Sequence, residues 1–176
     1  MKKDIVFIGG VHGVGKSYFC NLLADRYDIE HVTASSLIGK HIRQSKYKTV
    51  QSITNNQVIL AKELSKFRTN HQMILLDGHF CLLDKKREIK KIPLETFEEI
   101  APKAIILLID NPTSIYTRIS DRDGKKLNEE LITALQKCEI KNAKYISRTL
   151  NVPLVMVNHI TDTDQMINVV STYFEK

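Results

Sequence analysis

The sequence predicts an α/β protein in which a parallel β-sheet is covered by helices on both faces. Three observations predict it. Short, unbroken apolar runs recur along the chain. Segments of helical periodicity alternate with them. A glycine-rich loop stands between the first run and the first helix. A strand buried on both faces reads as a continuous apolar run, and parallel neighbours need a helical crossover between them.

The elements follow in order. Asp4 to Ile8 is rich in Ile, Val and Phe and predicts the first strand. Ser17 to Tyr27 predicts a helix, with Phe19, Leu22, Leu23 and Ala24 on one side and no Gly or Pro inside. Ile29 to Thr33 is a weak second strand. Ser35 to Gln44 predicts a short helix, capped by Ser35 or Ser36. Residues 45–52 are polar and predict a loop or a fraying helix end. Ile53 to Phe67 carries Leu60, Ala61 and Leu64 at helical spacing. Met73 to Leu76 is a buried strand that runs into Asp77-Gly78-His79. Residues 82–93 form a charged excursion ending at Pro93, and Glu95 to Ile100 a short helix stopped by Pro102. Ala104 to Ile109 is another buried strand. Asn111-Pro112 reads as a helix start, with Asn at the cap and Pro at the first position, and the helix runs to about Ser120. DRDGKKLN at 121–128 is a polar loop, and Asn128 to Leu150 a long helix with Glu129 and Glu130 suited to its N-terminal dipole. Pro153 to Asn158 holds the last strand and Asp164 to Phe174 the last helix.

The loop after the first strand reads Gly10-x-x-x-x-Gly15-Lys16-Ser17. This is the phosphate-cradling pattern, and strand, glycine loop and helix are the context that gives it meaning. Loop N–H groups and the helix N-terminus face phosphates in such a loop, the lysine reaches the β- and γ-phosphates, and the serine hydroxyl holds Mg²⁺. The sequence therefore predicts a binder of a nucleoside triphosphate.

Ligands in parallel sheets sit at the carboxyl ends of the strands. Asp77 stands at such an end and is a candidate to orient Mg²⁺ or to accept a proton from an attacking group. His79 either touches an acceptor or bonds within its own loop. Asp110 also ends a buried strand, where Asn111-Pro112 points to a capping or turn role. Arg118 and Arg122 lie four apart near a glycine-containing loop and are candidates to swing over the phosphates as a lid. The alternative is a solvated basic face, paired with Asp121 and Asp123. His12 lies inside the glycine loop, where it tunes the loop or meets a second substrate. Lys141, Lys144 and Arg148 read as solvated.

Length and composition set bounds. A chain of 176 residues suits a single domain with small insertions. No apolar run is long enough to span a bilayer, and the short run after Lys2 and Lys3 is too brief for a signal peptide. Cys20, Cys81 and Cys138 fit no zinc spacing and read as reduced thiols of a cytoplasmic protein. The net charge of +6 suits a protein that handles nucleotides and leaves nucleic acid as an alternative partner, with KKREIKK at 85–91 the densest basic cluster.

With these residues quoted, the chain resembles the P-loop nucleoside monophosphate kinases, and among them the small archaeal-type adenylate kinases and their uncharacterised relatives. The resemblance runs through GGVHGVGKS, TASSLIGK, ILLDGHF, IAPKAIILLIDNP, IYTRISDRDG and VPLVMVNH. It implies a three-layer P-loop NTPase fold, with a five-stranded parallel sheet in the order 2-3-1-4-5 and a short lid at about 119–128. It implies one kinase-like domain over 1–176, with an acceptor-binding insertion at about 33–70. It implies that Gly10, Val11, His12, Gly13, Val14, Gly15, Lys16, Ser17 and Tyr18 bind ATP. Ser17 and Asp77 would hold Mg²⁺, and Lys16, Asp77, Arg118 and Arg122 would serve the transfer. Ser35, Arg43, Gln57 and His79 would border a nucleotide or nucleoside acceptor. Two stretches depart from the family pattern. KCEIKNAKY stands where an arginine is implied near residues 139–140, and SKYKTVQSITNNQ stands where an arginine gripping a monophosphate is implied. Arg43, Lys46 and Lys48 are the substitutes there. Other acceptors, a polynucleotide 5′-hydroxyl or a small metabolite, fit the remaining pattern, as does an ATPase switch that acts through a protein partner. The sequence leaves the oligomeric state open.

Overall fold

A computed structural model describes residues 4–44, 53–123, 128–158, 167–168 and 171–173, and side chains within them except at 40–44, 53–55 and 122–123. The chain runs β1 (Asp4–Gly9), α1 (Lys16–Arg26), β2 (Ile29–Thr33), α2 (Ala34–Gln44), α3 (Ile53–Lys66), β3 (Met73–Asp77), β4 (Cys81–Leu83), β5 (Ile89–Lys91), α4 (Leu94–Ile100), β6 (Ala104–Ile109), α5 (Pro112–Asp123), α6 (Glu129–Leu150) and β7 (Leu154–Asn158). Five strands form a parallel sheet in the order β2-β3-β1-β6-β7. The numbering departs from the expected 2-3-1-4-5 because an antiparallel hairpin, β4 with β5, takes two numbers between the third and fourth strands of the sheet. That hairpin lies in the stretch expected to be a charged excursion. Its short strands carry Cys81, Leu82, Leu83 and Ile89, with only Cys81 fully buried.

The unbroken apolar runs have a direct cause. Side chains alternate across a strand, and here both faces are buried. Val6, Ile8, Leu75, Ile106 and Leu108 pack with Phe19 and Leu23 of α1 and with Ile115 and Ile119 of α5. Their neighbours Ile5, Phe7, Ile74, Leu76, Ile105 and Leu107 pack on the opposite face with Leu60, Phe97 and Ile146. Phe7, Phe80 and Phe97 form an aromatic trio there, with ring centroids 4.9–5.2 Å apart. Each fully buried side chain of this size contributes about 1.5–3 kcal/mol.

The helix ends show local sequence at work. Asn128 caps α6 by accepting from Leu131 N at 2.9 Å, and Asn151 closes it in a left-handed conformation. Asn111 Oδ1 accepts from Thr113 N at 2.8 Å, as its place before Pro112 predicts. At α2 the cap is Thr33 rather than Ser35 or Ser36. Its hydroxyl accepts from Ser36 N at 3.0 Å, while Ser36 Oγ donates back to the Thr33 carbonyl at 2.8 Å. The helix α5 runs on to Asp123, past the expected end near Ser120. Lys46, Lys48 and most of the expected last helix lie outside the described residues, although Ile167 belongs to the same core cluster as Phe19 and Leu23 and Tyr173 packs against it. Among the described residues, no helix is long and apolar enough to cross a membrane.

Candidate active site

Parallel pairing brings the loop and the acid together. Ile8 lies opposite Asp77 in the β1–β3 register, and Thr33 lies opposite Asp77 in the β2–β3 register. The glycine loop, Asp77 and the start of α2 therefore meet at the carboxyl edge of the sheet, as crossover topology requires.

The loop has the conformation that its glycines permit. Gly10, Gly13 and Gly15 have φ of 140°, 81° and 104°. A Cβ at Gly13 would stand 2.5 Å from the Ile119 side chain of α5, so the loop and that helix are in close contact. No side chain caps the N-terminus of α1, which leaves its first N–H groups for an anion. Val11 and Val14 are buried, and their side chains belong to the core, so only their backbone serves the loop. His12, Gly13, Gly15, Lys16 and Ser17 line a cavity of about 730 Å³. Tyr18 lines it as well and is more than half exposed.

Lys16 is folded onto its own loop. Its Nζ donates to the carbonyl oxygens of Gly10 at 2.8 Å and Val11 at 3.2 Å. Burial pushes its pKa down, and the charges of Asp77 and Glu139 oppose that shift. Ser17 Oγ donates to Asp77 Oδ2 at 3.3 Å. A hydroxyl and a carboxylate so placed, beside free N–H groups and a lysine, are the donor set that fits Mg²⁺ and a polyphosphate. Beneath them, burial pushes the Cys20 thiol up, with Asp77 adding to the shift.

Arg118 differs from its expected place. It is docked on the loop rather than poised above it: Nε donates to the Gly13 carbonyl at 3.0 Å and Nη2 donates to Asp110 Oδ2. Asp110, expected only to cap or turn, is a buried partner of that guanidinium and also accepts from Asn111 N. The Arg122 side chain lies outside the described residues, as does that of Arg43. Ser35, Gln57 and His79 all line the cavity beyond the loop, with Gln57 buried. Ile38, Leu60, Phe97 and Ile100 supply apolar wall between them.

Sequence reasoning found the helix α6 but missed the polar residues that it turns inward. Glu139 is 1% exposed, and its carboxylate accepts from Phe80 N at 3.0 and 3.1 Å and from Cys81 N at 3.1 Å. His79 Nδ1 lies 3.6 Å from the same carboxylate. Asn142 Nδ2 donates to the carbonyls of Phe80 and Ile92, and Gln136 brackets the backbone of Asp110. Gln136, Glu139 and Asn142 stand three apart along one helix face, which is the signal that could have found them. The thiols also differ from expectation. Cys81 and Cys138 are joined in a disulfide beside Glu139, and Cys20 alone is free and buried.

The sequence profile of an AAA domain family matches residues 9–136. The chain belongs to that family. The matched span of this AAA domain protein holds the glycine loop, Asp77, Asp110 and Arg118. No curated protein matches its sequence significantly. Solved structures share its fold. A shikimate kinase from Bacteroides thetaiotaomicron aligns at a TM-score of 0.62 and 10% identity, covering 96% of this chain and 98% of that one. A sugar kinase from Janibacter aligns at 0.60 and 14%, covering 98% and 94%. A gluconokinase from Sinorhizobium meliloti aligns at 0.57 and 15%, covering 94% and 87%.

Proposed function

We propose that this AAA domain protein is a Mg-ATP-dependent phosphotransferase whose acceptor is a nucleotide or a nucleoside. One observation carries the reading: Ser17 is paired with Asp77 beside Lys16, at one end of a cavity that continues past the phosphate loop. The space walled by α2, α3 and α4 has no use in a site that holds only a triphosphate. Kinase activity in the structural neighbours' names supports the same reading.

Bound Mg-ATP supplies the γ-phosphoryl group and neutralises part of its charge. The loop N–H groups cradle the phosphates, and Lys16 exchanges its two loop carbonyls for phosphate oxygens. Ser17 and Asp77 offer oxygen donors to the cation. Arg118 holds the loop in shape from outside. An acceptor oxygen bonds to the γ-phosphorus as the bond to the bridging oxygen breaks, and ADP leaves. If the acceptor group is a hydroxyl, its proton passes to Asp77 or His79, the proton acceptors in that half of the cavity.

Ser35, Gln57 and His79 give polar anchors, and Ile38, Leu60 and Phe97 suit a flat base. Among the described lining residues, Lys16 and Arg118 are the only lysine and arginine, the first at the end of the loop and the second docked on it from α5. A small metabolite hydroxyl is the second reading, supported by the names of the gluconokinase and shikimate kinase neighbours. In this proposal the whole chain is one domain in the cytoplasm, with 33–70 at the acceptor. Mass spectrometry of the acceptor after incubation with Mg-ATP tests it: the mass of one phosphoryl group gained supports the proposal, and unchanged acceptors with steady ATP hydrolysis contradict it.

A further inference from the structure

The floor of the phosphate site places two groups that nucleotide binding does not use, Cys20 and His31, beside one that it does, Asp77. Cys20 Sγ, a ring nitrogen of His31 and a carboxylate oxygen of Asp77 lie within 4.8 Å of one another. They come from α1, β2 and β3. His31 stands opposite Leu75, two residues before Asp77, so both side chains fall on the α1 face of the sheet. Cys20 is fully buried and Asp77 nearly so.

Two details point to an ion there. His31 Nδ1 lies 3.2 Å from Asn21 Oδ1. In the neutral ring, with the amide oxygen as acceptor, Nδ1 carries the proton and Nε2 keeps its lone pair. That Nε2 is buried and makes no hydrogen bond, and it faces Asp77 Oδ2 at 3.7 Å. A lone pair aimed at a carboxylate finds no donor, whereas a cation between the two satisfies both.

We propose that Cys20, His31 and Asp77 form a site for a transition-metal dication of the zinc class, which shares Asp77 with the phosphate site. Thiolate, imidazole and carboxylate are zinc donors; the Cys20 thiol releases its proton to solvent as the ion binds, and three protein ligands leave one position open. Mg²⁺ takes oxygen ligands and does not compete for the thiolate. Donors about 2.0–2.3 Å from a tetrahedral ion stand roughly 3.3–3.7 Å apart. The His31–Asp77 gap has that length, and the widest gap, at most 4.8 Å, closes by about an ångström as the ion enters. Asp77 Oδ2 is also the acceptor of the Ser17 hydroxyl. An ion bound beneath therefore draws the carboxylate from the phosphate side, and the site inhibits turnover. The inhibition rests on the proposed phosphotransfer; the binding does not.

The test is a cobalt(II) titration of the full chain with its disulfide intact. The sequence holds three cysteines and two are bridged, so a cobalt–thiolate absorption band reports Cys20 alone. One equivalent is expected to give the band, and zinc to displace it. Cys20→Ser removes the band, and His31→Gln weakens binding at least tenfold. Asn21→Ala, at an exposed position, keeps the fold and weakens binding about tenfold through the ring orientation. A folded wild-type protein without the band overturns the site, as does a band that survives Cys20→Ser or an affinity unchanged in His31→Gln. ADP release then reads the shared carboxylate: zinc is expected to inhibit wild type and to spare Cys20→Ser. Binding without inhibition overturns the sharing and leaves the site. Absence of any ADP release overturns the phosphotransfer reading, while the cobalt band still decides the site.

Discussion

The guanidinium of Arg118 donates to the carbonyl oxygen of Gly13 at 3.0 Å, across 105 residues of chain. Its second contact is the buried carboxylate of Asp110. Arg118 thus ties the end of β6 to the middle of the phosphate loop. Gly13 cannot move toward α5, because Ile119 already fills that side.

Arg118→Ala should release the loop and lower kcat/KM for ATP by about a hundredfold, the scale of losing one preorganised group. Arg118→Lys should recover little of this, since an ammonium cannot reach both acceptors with one fixed fork. Steady-state kinetics on both variants check it. A lysine variant at wild-type rate would mean that charge alone matters.

Glu139→Gln should cost roughly 1–3 kcal/mol of stability, because the carboxylate that accepts three backbone contacts becomes an amide turned partly the wrong way. It should also raise KM for the acceptor more than it lowers kcat, since the turn it anchors carries His79 into the cavity. Urea denaturation and kinetics read the two effects separately.

Gln136, Glu139 and Asn142 of α6 show where the sequence is hard to read. The strands were legible because burial on both faces leaves only apolar residues, and the loop because few residues other than glycine tolerate its backbone. Asp77, Lys16 and Ser17 were legible because the motif and strand register place them together. Glu139 and Asn142 were not. A charged residue on a helix ordinarily faces water, and nothing local says that the turn at 78–81 will come to meet it. The same limit hid the Cys81–Cys138 bridge, which depends on a hairpin packing against α6, and the docking of Arg118, which depends on the path of α5 over the loop.

Reducing the disulfide should lower stability. Cys81 and Cys138 are 57 residues apart, and closing such a loop restricts the unfolded chain by about 4 kcal/mol in the entropy model. Thermal melts with and without a thiol reductant measure it, with Cys138→Ala as the control that no longer responds. A wild-type melt that does not respond would show that the bridge contributes nothing.

Lys16 sets a pH dependence in the nucleotide-free protein. Its pKa in the fold lies below the ordinary 10.5, with burial the main cause. Between the two values the unfolded chain binds more protons, so this group's contribution to stability rises with pH. The penalty of the buried charge is full below the folded pKa and relieved as pH rises toward 10.5. The stability of wild type relative to Lys16→Met should therefore improve as pH rises in that window. Denaturation of both proteins across the range checks the sign, and a difference that stays flat or falls would contradict it.

The most direct measurement is ADP release from Mg-ATP against nucleosides, nucleoside monophosphates, small polyols and a 5′-hydroxyl oligonucleotide, with Lys16→Ala as the blank. The account predicts strong stimulation by one nucleoside or nucleotide, no stimulation by the oligonucleotide, and loss of turnover in a folded Lys16→Ala protein. Slow hydrolysis that no acceptor stimulates, or a Lys16→Ala variant as active as wild type, would contradict it.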